Sequence, residues 1–293
     1  MTIWEAFKAG FGFLSVIPVG ITMEGIEALM KRLYMYPIVG FCLGILIGII
    51  TFAAEIVLPT PLTIIAIMLA TYGIIWFNHL DGVSDMGDGM TAHGSLEKKR
   101  KALKDMSLGI GGVAFAVLLM LLFYSSLAAL ENISTSIGAV PYAGLFSIAS
   151  AAIAGAGLSA AWTGALTTAA LMAIVVTVAE TNGKQAMLTI ATFGKSFSEG
   201  LGSMTIAGGT RRNFTIGILF TAVISTLLLG FLGIAALIIS TIAALIILKI
   251  SNRHFEGLNG DGIGTANEVG RIITIASIAV ILFLLYGGMF WTL

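Results

Sequence analysis

The sequence predicts an all-α polytopic integral membrane protein, a bundle of about seven transmembrane helices with an interfacial N-terminal segment. Of its 293 residues, 58% are hydrophobic and only 10% are charged, and the mean hydropathy is +1.03. Soluble domains average about 45–50% apolar and about 25% charged residues, so this composition does not suit an ordinary aqueous surface. Apolar runs of about 20 residues, long enough to cross ~30 Å of hydrocarbon, recur along the chain. We expect a single membrane-embedded domain over residues 1–293.

Seven apolar runs have the length of a membrane span. They are Leu33–Leu58, Leu62–Asn78, Leu108–Leu130, Thr163–Phe193, Phe214–Gly230, Phe231–Ile250 and Ile272–Trp291. The continuous stretch from Phe214 to Ile250 is too long for one span and too apolar for a loop. We therefore expect two helices that fold back on each other near Gly230 and Gly233.

The N-terminal segment Ile3–Pro18 is apolar but contains Glu5 and Lys8. This mixture predicts a helix that lies along the membrane interface before the first full span. The segment lacks the basic start and the small-residue cleavage site of a signal peptide, so we expect it to be retained.

The stretch Tyr142–Ala161 is rich in Ala, Gly and Ser, and hydropathy alone leaves open whether it crosses the membrane. If it does not cross, all 15 Lys and Arg residues lie on one side of the membrane or near the ends of spans that face that side. The opposite connections, around Pro59, Asn132–Pro141 and Gly230, then contain no Lys or Arg. The positive-inside rule therefore predicts that Tyr142–Ala161 is re-entrant, peripheral or one of an added pair. It also predicts that the cation-rich face is cytoplasmic, in a cell membrane.

Charge and cysteine content exclude several classes of function. Fifteen Lys plus Arg balance fifteen Asp plus Glu, so bulk charge gives no support for nucleic-acid binding. Cys42 is the only cysteine, which excludes an intramolecular disulfide framework and a cysteine-based zinc site.

Three aspartates are grouped in the first polar segment of the chain. Asp81, Asp85 and Asp88 are spaced i, i+4 and i+7, which on a helix places them within an arc of about 60°. Carboxylates so close repel one another, and oxygen ligands favour Mg²⁺, Mn²⁺ or Ca²⁺ over softer metals. The segment therefore predicts a divalent-cation site, with a solvated loop as the alternative.

Basic residues follow these aspartates at Lys98–Lys101 and Lys104. Carboxylates, a divalent cation and phosphate-binding lysines together indicate phosphoryl transfer. The alternative for Lys98–Lys101 is an ordinary cytoplasmic flank of a span. His79, two residues before Asp81, is a candidate acid, base or hydrogen-bonding partner.

Two further polar segments interrupt the apolar sequence. Glu180 and Lys184 lie inside a predicted span, where ionisable residues indicate a functional site by default. Their i, i+4 spacing equally permits a simple ion pair along the helix, and both interpretations stay open. Gly257–Gly264 contains four glycines around Asp261, which predicts a loop that approaches a phosphate or nucleotide closely.

Together these segments resemble the cobalamin synthase family, the adenosylcobinamide-GDP ribazoletransferases, particularly its archaeal-type members. The resemblance is carried by Asn78-His79-Leu80-Asp81-Gly82 with Asp85 and Asp88-Gly89, Ala102-Leu103-Lys104-Asp105, Glu199-Gly200-Leu201-Gly202, and Asn259-Gly260-Asp261-Gly262-Ile263-Gly264 with Asn267-Glu268. Many bacterial members have Lys-Asp-Ser-Arg-Ile-Gly where this chain continues Lys104-Asp105-Met106-Ser107-Leu108-Gly109. The role of that arginine therefore cannot be transferred.

The resemblance implies that the single domain is a Mg²⁺-dependent phosphotransferase. The 5′-hydroxyl of α-ribazole would attack adenosylcobinamide-GDP and release GMP, with α-ribazole 5′-phosphate as the alternative substrate. The implied metal ligands are Asp81, Asp85 and Asp88. Asp105 or Asp261 would complete the metal shell or take the hydroxyl proton, with His79 as a further candidate. Lys104, Glu199, Asn259, Gly260, Gly262 and Asn267 would bind the nucleotide. The implied partners are these two substrates and membrane lipids, without nucleic acid, and a homo-oligomer stays open.

Two other functions compete with this interpretation. A CDP-alcohol phosphotransferase uses aspartates at comparable spacing, but that family normally has Ala-Arg after its Asp-Gly-x-x motif, whereas Asp85 follows Asp81-Gly82-Val83-Ser84 here. A transporter or channel predicts related repeats with polar residues near the membrane midplane, and the sequence shows no repeat.

Overall fold

The computed structural model describes residues 2–105, 107–137 and 144–286, and this part of the chain is built from helices. In chain order they are α1 (Ile3–Leu14), α2 (Met23–Met30), α3 (Met35–Val57), α4 (Thr60–Ile75), α5 (Asn78–Thr91), α6 (Leu96–Ala102), α7 (Ile110–Ile137), α8 (Leu145–Gly155), α9 (Ala160–Phe193), α10 (Leu201–Gly208), α11 (Arg211–Phe255) and α12 (Gly260–Tyr286). Five of them, α3, α7, α9, α11 and α12, are long and apolar enough to cross a membrane, and the bent pair α4–α5 is a sixth candidate. The chain is therefore an all-α, multi-pass membrane protein, as the composition predicts.

The long helix α11 is interrupted at Gly230, where the backbone has φ 57° and ψ −133°. A Cβ on Gly233 would overlap the backbone oxygen of Ser225, eight residues earlier. In a straight helix, eight residues span about 12 Å, so this contact requires the chain to reverse. The predicted fold-back near Gly230 and Gly233 is thus confirmed, and both ends of α11 lie at the same end of the bundle.

In its described residues, from 144 onward, the Ala/Gly/Ser-rich stretch forms the 11-residue helix α8 and then enters the first turn of α9. At 1.5 Å per residue α8 is about 16 Å long, too short to cross the hydrocarbon. Its N-cap, Gly144, packs against the α11 turn, since a Cβ there would lie 2.9 Å from the Gly230 nitrogen. The structure agrees with the prediction that this stretch does not cross as a single span, although its start at Tyr142 lies outside the described residues.

Helices α4 and α5 meet at an angle of 94°. The predicted span Leu62–Asn78 therefore ends early, because α4 stops at Ile75 and Trp76 adopts a left-handed φ of 66°. Helix α5 lies across the end of the bundle instead of continuing the span. Its glycines permit this packing: a Cβ on Gly82 would lie 2.7 Å from the Asp261 carbonyl oxygen.

The N-terminal segment forms α1, whose 12 residues are too few to span a membrane. One face of this helix buries Ala6 and Ala9, while Ile3 and Trp4 are exposed. This amphipathic pattern agrees with an interfacial helix. Three short helices, α2, α6 and α10, were not predicted, because each has eight residues or fewer and gives little periodic signal.

Helix α9 runs through the centre of the bundle, packed against α3, α11 and α12. The N-terminus of α12 was placed too late by the prediction, which began that span at Ile272 and extended it to Trp291, beyond the described residues. The C-terminus of α9 and the N-termini of α3, α7 and α12 gather at one end of the bundle with α5, α6 and α10. We call this the polar end.

Candidate active site at the polar end

A cavity of about 690 Å³ opens between α5, α10 and the start of α12. Six of the residues that line it are ionisable, namely Asp81, Asp85, Lys104, Asp105, Glu199 and Asp261. Five are acids and one is a cation. We call it the large cavity. The structure thus brings together three segments that are far apart in the sequence, and all six side chains belong to the sequence-predicted site.

Asp81 and Asp85 lie one turn apart on α5 and line the same wall of the large cavity. Asp85 is half-buried. Burial, together with the neighbouring carboxylates of Asp261, Asp81 and Asp88, raises the pKa of Asp85 to about 7. A cation bound among these groups would relieve their mutual repulsion and favour the ionised form of Asp85.

Asp88, the third aspartate of the series, does not line the large cavity. Its carboxylate accepts hydrogen bonds from the backbone nitrogens of Gly109 (2.8 Å) and Gly112 (2.7 Å). Gly109 directly precedes α7 and Gly112 lies in its first turn, so Asp88 caps that helix from a neighbouring one. Its role as a metal ligand remains a prediction.

Asp261 occupies the first turn of α12 rather than a glycine-rich loop. The loop prediction is therefore wrong from Gly260 onward, because Asn259 caps a helix there. The Gly262 nitrogen donates to Asn259 Oδ1 (3.2 Å), and Asn259 Nδ2 donates to Asp261 Oδ2 (2.6 Å). The N-terminal end of α12, with its partial positive charge, thus faces the large cavity beside Asp261.

The glycines of this segment serve helix packing more than ligand approach. Gly262 is buried, and a Cβ there would lie 2.5 Å from the Leu258 side chain. A Cβ on Gly202 would lie 2.5 Å from the Gly260 nitrogen, so α10 and α12 meet at their N-termini. Asn259 and Gly260 line the large cavity, as predicted for nucleotide-binding residues, whereas Gly262 lies behind it.

Lys104 and Asp105 follow α6 and are exposed at the mouth of the large cavity. The Ser107 nitrogen donates to Asp105 Oδ1 (3.0 Å), and this hydrogen bond lowers the pKa of Asp105. A lowered pKa makes Asp105 a weaker base and suits it to binding cations. The adjacent Met106 lies outside the described residues.

The basic helix α6 is fastened to the end of α11. Arg100 donates to the Phe255 carbonyl oxygen from Nε (3.0 Å) and from Nη2 (2.7 Å), and its guanidinium lies 4.6 Å from the centre of the Phe197 ring. Arg100 therefore positions α6. Of the basic residues predicted to hold phosphates, Lys104 is the one that lines the large cavity.

A second set of charges is buried behind the large cavity. We call Glu180, Lys184, Glu268 and Arg271 the ion cluster, and none of them is more than 1% exposed. Arg271 pairs with Glu180 (3.1 Å) and with Glu268, and Lys184 lies 3.5 Å from Glu180. The Glu180–Lys184 pair predicted from helical spacing is present, as half of a four-membered network. The second ion pair, Glu268–Arg271, was not predicted, although its i, i+3 spacing in an apolar span also indicates a pair along the helix.

Asn267 links the ion cluster to His79. Its Oδ1 accepts from Lys184 Nζ (2.7 Å), and its Nδ2 donates to Glu268 Oε1 (3.1 Å) and faces His79 Nδ1 (3.0 Å). Because an ammonium only donates and a carboxylate only accepts, these neighbours fix the orientation of the amide. Asn267, predicted to bind nucleotide, is fully buried and does not line the large cavity.

The Asn267 contact also determines the state of His79. Its Nδ1 accepts a hydrogen bond, so in the neutral ring the proton is on Nε2. Burial and the charges of Lys184 and Arg271 lower the pKa of His79 well below its usual value. His79 is therefore a neutral hydrogen-bond donor, which fits the hydrogen-bonding role among those predicted for it better than the role of base.

The acids suit a Mg²⁺ ion that is shared with a substrate. Within the described residues, no three His, Cys, Asp or Glu side chains form a ready-made metal site. Mg²⁺ dehydrates reluctantly and is commonly held by one or two carboxylates, water and substrate phosphates. Asp81 and Asp85, with Asp261 opposite, fit that mode, in which the substrate completes the coordination.

The sequence is similar to proteins of one family over nearly its whole length. The family model described as cobalamin-5-phosphate synthase matches residues 6–157 and 136–279. The chain is 49% identical to an adenosylcobinamide-GDP ribazoletransferase of Methanosarcina mazei, with 98% of each chain covered. It is 46% identical to that of Methanosarcina barkeri (98% of each) and 43% identical to that of Methanococcoides burtonii (98% of this chain, 97% of the relative). No solved structure matches the chain significantly.

Proposed function

Because the chain belongs to the cobalamin-5-phosphate synthase family, we propose that it transfers the phosphocobinamide group of adenosylcobinamide-GDP to a ribose hydroxyl of α-ribazole. α-Ribazole 5′-phosphate is the alternative acceptor, and since phosphate occupies its 5′-oxygen, the attacking group is then a ring hydroxyl of the ribose and not the predicted 5′-hydroxyl. Both substrates are named in part by the curated relatives, and GMP is the product that leaves. The observation that carries this proposal is the large cavity, where five acids and Lys104 converge from three segments that are distant in the sequence.

The chemistry is a displacement at phosphorus. The acceptor oxygen forms a new bond to the cobinamide-proximal phosphorus, the bond from that phosphorus to GMP breaks, and the hydroxyl proton passes to a carboxylate. Asp81 and Asp85 would hold Mg²⁺, which supplies neutralisation of the charge on the diphosphate. Lys104 would contact the phosphates at the mouth of the cavity.

Asp261 is the better placed of the two candidate bases. The hydrogen bond from Ser107 makes Asp105 a weaker base, whereas Asp261 is less exposed and lines the large cavity together with Asp81. Asn259 Nδ2 holds the Asp261 carboxylate through Oδ2 and leaves Oδ1 for the hydroxyl. His79, as a donor through Nε2, would orient a substrate oxygen instead of taking its proton.

The proposed location is the cell membrane, with the large cavity open to the cytoplasm. Lys104 and the basic residues of α6, Lys98–Lys101, lie at the polar end, together with Arg211 and Arg253 at the two ends of α11. In the described part of the opposite end, the α3–α4 turn and the Gly230 turn contain no Lys or Arg. The positive-inside rule supports a cytoplasmic position for the polar end.

The test is release of GMP by the purified protein with adenosylcobinamide-GDP, α-ribazole and Mg²⁺. We expect GMP and the cobamide to form in equal amounts, and expect excess EDTA to abolish turnover and added Mg²⁺ to restore it. A control lacking α-ribazole should release no GMP. GMP release without α-ribazole, or full activity in EDTA, would contradict the proposal. Turnover of a CDP-alcohol in place of these substrates would favour the lipid phosphotransferase.

A further inference from the structure

A smaller cavity of about 230 Å³ lies beside the large cavity. The two share a wall of four residues, Leu201, Gly202, Gly260 and Asp261. We call the smaller cavity the side pocket. Asp261 therefore contacts two different compartments, one dominated by carboxylates and the other by apolar side chains.

The side pocket has flat, apolar walls. Tyr36, Met187 and Ile263 are buried there, and the Phe13 ring from α1 stacks on Tyr36 with 6.2 Å between ring centres and 24° between ring planes. Aromatic rings and a thioether provide favourable surfaces for another flat, apolar group. The side pocket thus has the composition of a small-molecule site and not of a phosphate site.

A few polar groups face this apolar surface. Thr205 Oγ1 donates to the Leu201 carbonyl oxygen (2.9 Å) and accepts from the Tyr36 hydroxyl (3.4 Å), which leaves the Tyr36 oxygen as an acceptor for a ligand. His79 also lines the side pocket, and the structure gives its Nε2–H no partner within the described residues. Such convergent polar groups in an apolar pocket orient a ligand that is largely hydrophobic.

We propose that the side pocket binds the bicyclic aromatic base of the nucleoside acceptor, which places a hydroxyl of its ribose at Asp261, on the border of the large cavity. This inference rests on the proposed function and adds the binding site of one substrate. The corrin ring and the GDP moiety of the donor are too large and too polar for a pocket one third the size of its neighbour. The donor diphosphate occupies the large cavity, and the shared wall is where the two substrates meet.

Separate pockets predict separable kinetic effects. We would fill the side pocket with Thr205→Leu and, independently, Met187→Phe, and measure KM for each substrate. Lost complementarity in an apolar pocket costs about 1–3 kcal/mol, so KM for α-ribazole should rise about tenfold or more while KM for adenosylcobinamide-GDP changes less than about twofold. Ile49→Phe, which adds a similar ring to the exposed face of α3, is the matched control and should change neither.

An acceptor with a smaller base distinguishes pocket filling from general damage. In Thr205→Leu, KM should rise less for the ribonucleoside of a monocyclic imidazole than for α-ribazole, because the smaller base leaves room for the added methyl groups. An equal rise in KM for both acceptors, or a rise in KM for the donor alone, would overturn the assignment. Thermal unfolding in detergent checks that each variant is folded.

Direct binding separates this inference from the proposed function. Equilibrium dialysis with radiolabelled α-ribazole should show binding to the wild-type protein that Thr205→Leu and Met187→Phe weaken about tenfold. If the wild-type protein binds α-ribazole in this way but releases no GMP, the proposed function fails and the side pocket stands. If turnover is normal and binding is unchanged in both variants, the side pocket fails and the proposed function stands.

Discussion

The ion cluster and the large cavity contain similar side chains but balance their charges differently. In the ion cluster, two carboxylates face two cations and all four groups are nearly inaccessible to solvent. The large cavity has five acids and one lysine, and most of them are exposed or half-buried. Only a few helical turns separate the two regions along α12, from Asp261 to Arg271.

The cost of removing charge from water explains the difference. An uncompensated buried charge is expensive, so the ion cluster closes on itself with Tyr72 and Asn267 as further hydrogen-bond partners. The acids of the large cavity are partly hydrated, and one lysine does not offset the repulsion among five carboxylates. The charges of the ion cluster are neutralised within the chain, whereas those of the large cavity are not, and this excess of negative charge supports the proposed cation site.

The largest expected effect follows from removing one acid of the large cavity. Asp85→Asn keeps the shape of the side chain and removes its charge, so kcat should fall about 10³-fold, equivalent to about 4 kcal/mol of transition-state stabilisation. Stability should stay the same or rise, because repulsion from Asp81 and Asp261 is relieved. Turnover within about tenfold of the wild type would contradict the role of this carboxylate.

The opposite pattern is expected in the ion cluster. Arg271→Met leaves two buried carboxylates without their main partner and should lower the free energy of unfolding by about 3 kcal/mol or more. Denaturant unfolding in detergent measures this loss. Combining it with Glu268→Gln alone, which leaves Glu180 paired with Lys184, should recover part of the stability. An unchanged unfolding midpoint in the single variant would show that the network contributes little.

A smaller effect is expected at Asp88, and it decides between two roles. If its carboxylate only caps α7, Asp88→Asn should cost about 1 kcal/mol of stability and change kcat far less than Asp85→Asn does. If Asp88 also ligates the metal, as the sequence predicts, kcat should fall as far as in Asp85→Asn. Parallel measurement of kcat and thermal unfolding on the two variants separates these outcomes.

Much of the site was predictable because it depends on the spacing of residues within single segments of the chain. The aspartates of α5 repeat with a helical period, and the chain is so poor in charge that each acid is conspicuous. The same property predicted the membrane fold, and the apolar length from Phe214 to Ile250 required a reversal, which Gly230 provides.

What could not be predicted depends on contacts between distant segments. Gly257–Gly264 looks like a loop because glycine disfavours helices, yet tertiary packing against α5 and α10 and the Asn259 cap make most of it the start of α12. The partners of Asp88 lie on α7, more than twenty residues away, and no helical period shows them. The bend that turns α5 across the bundle is at Trp76, whereas the nearest glycine, Gly73, lies inside α4, so the sequence does not mark the position of the bend.

The most direct test of the account is cation binding by the large cavity in the presence of a diphosphate. Electron paramagnetic resonance with Mn²⁺ as the probe and GDP as the diphosphate would be measured on the wild-type protein, Asp85→Asn and Arg271→Met. The account predicts GDP-dependent Mn²⁺ binding in the wild type, weakened at least about tenfold by Asp85→Asn. Folded Arg271→Met protein should retain it. Equal Mn²⁺ affinity in the wild type and Asp85→Asn would contradict the claim that these acids await a metal-bound diphosphate.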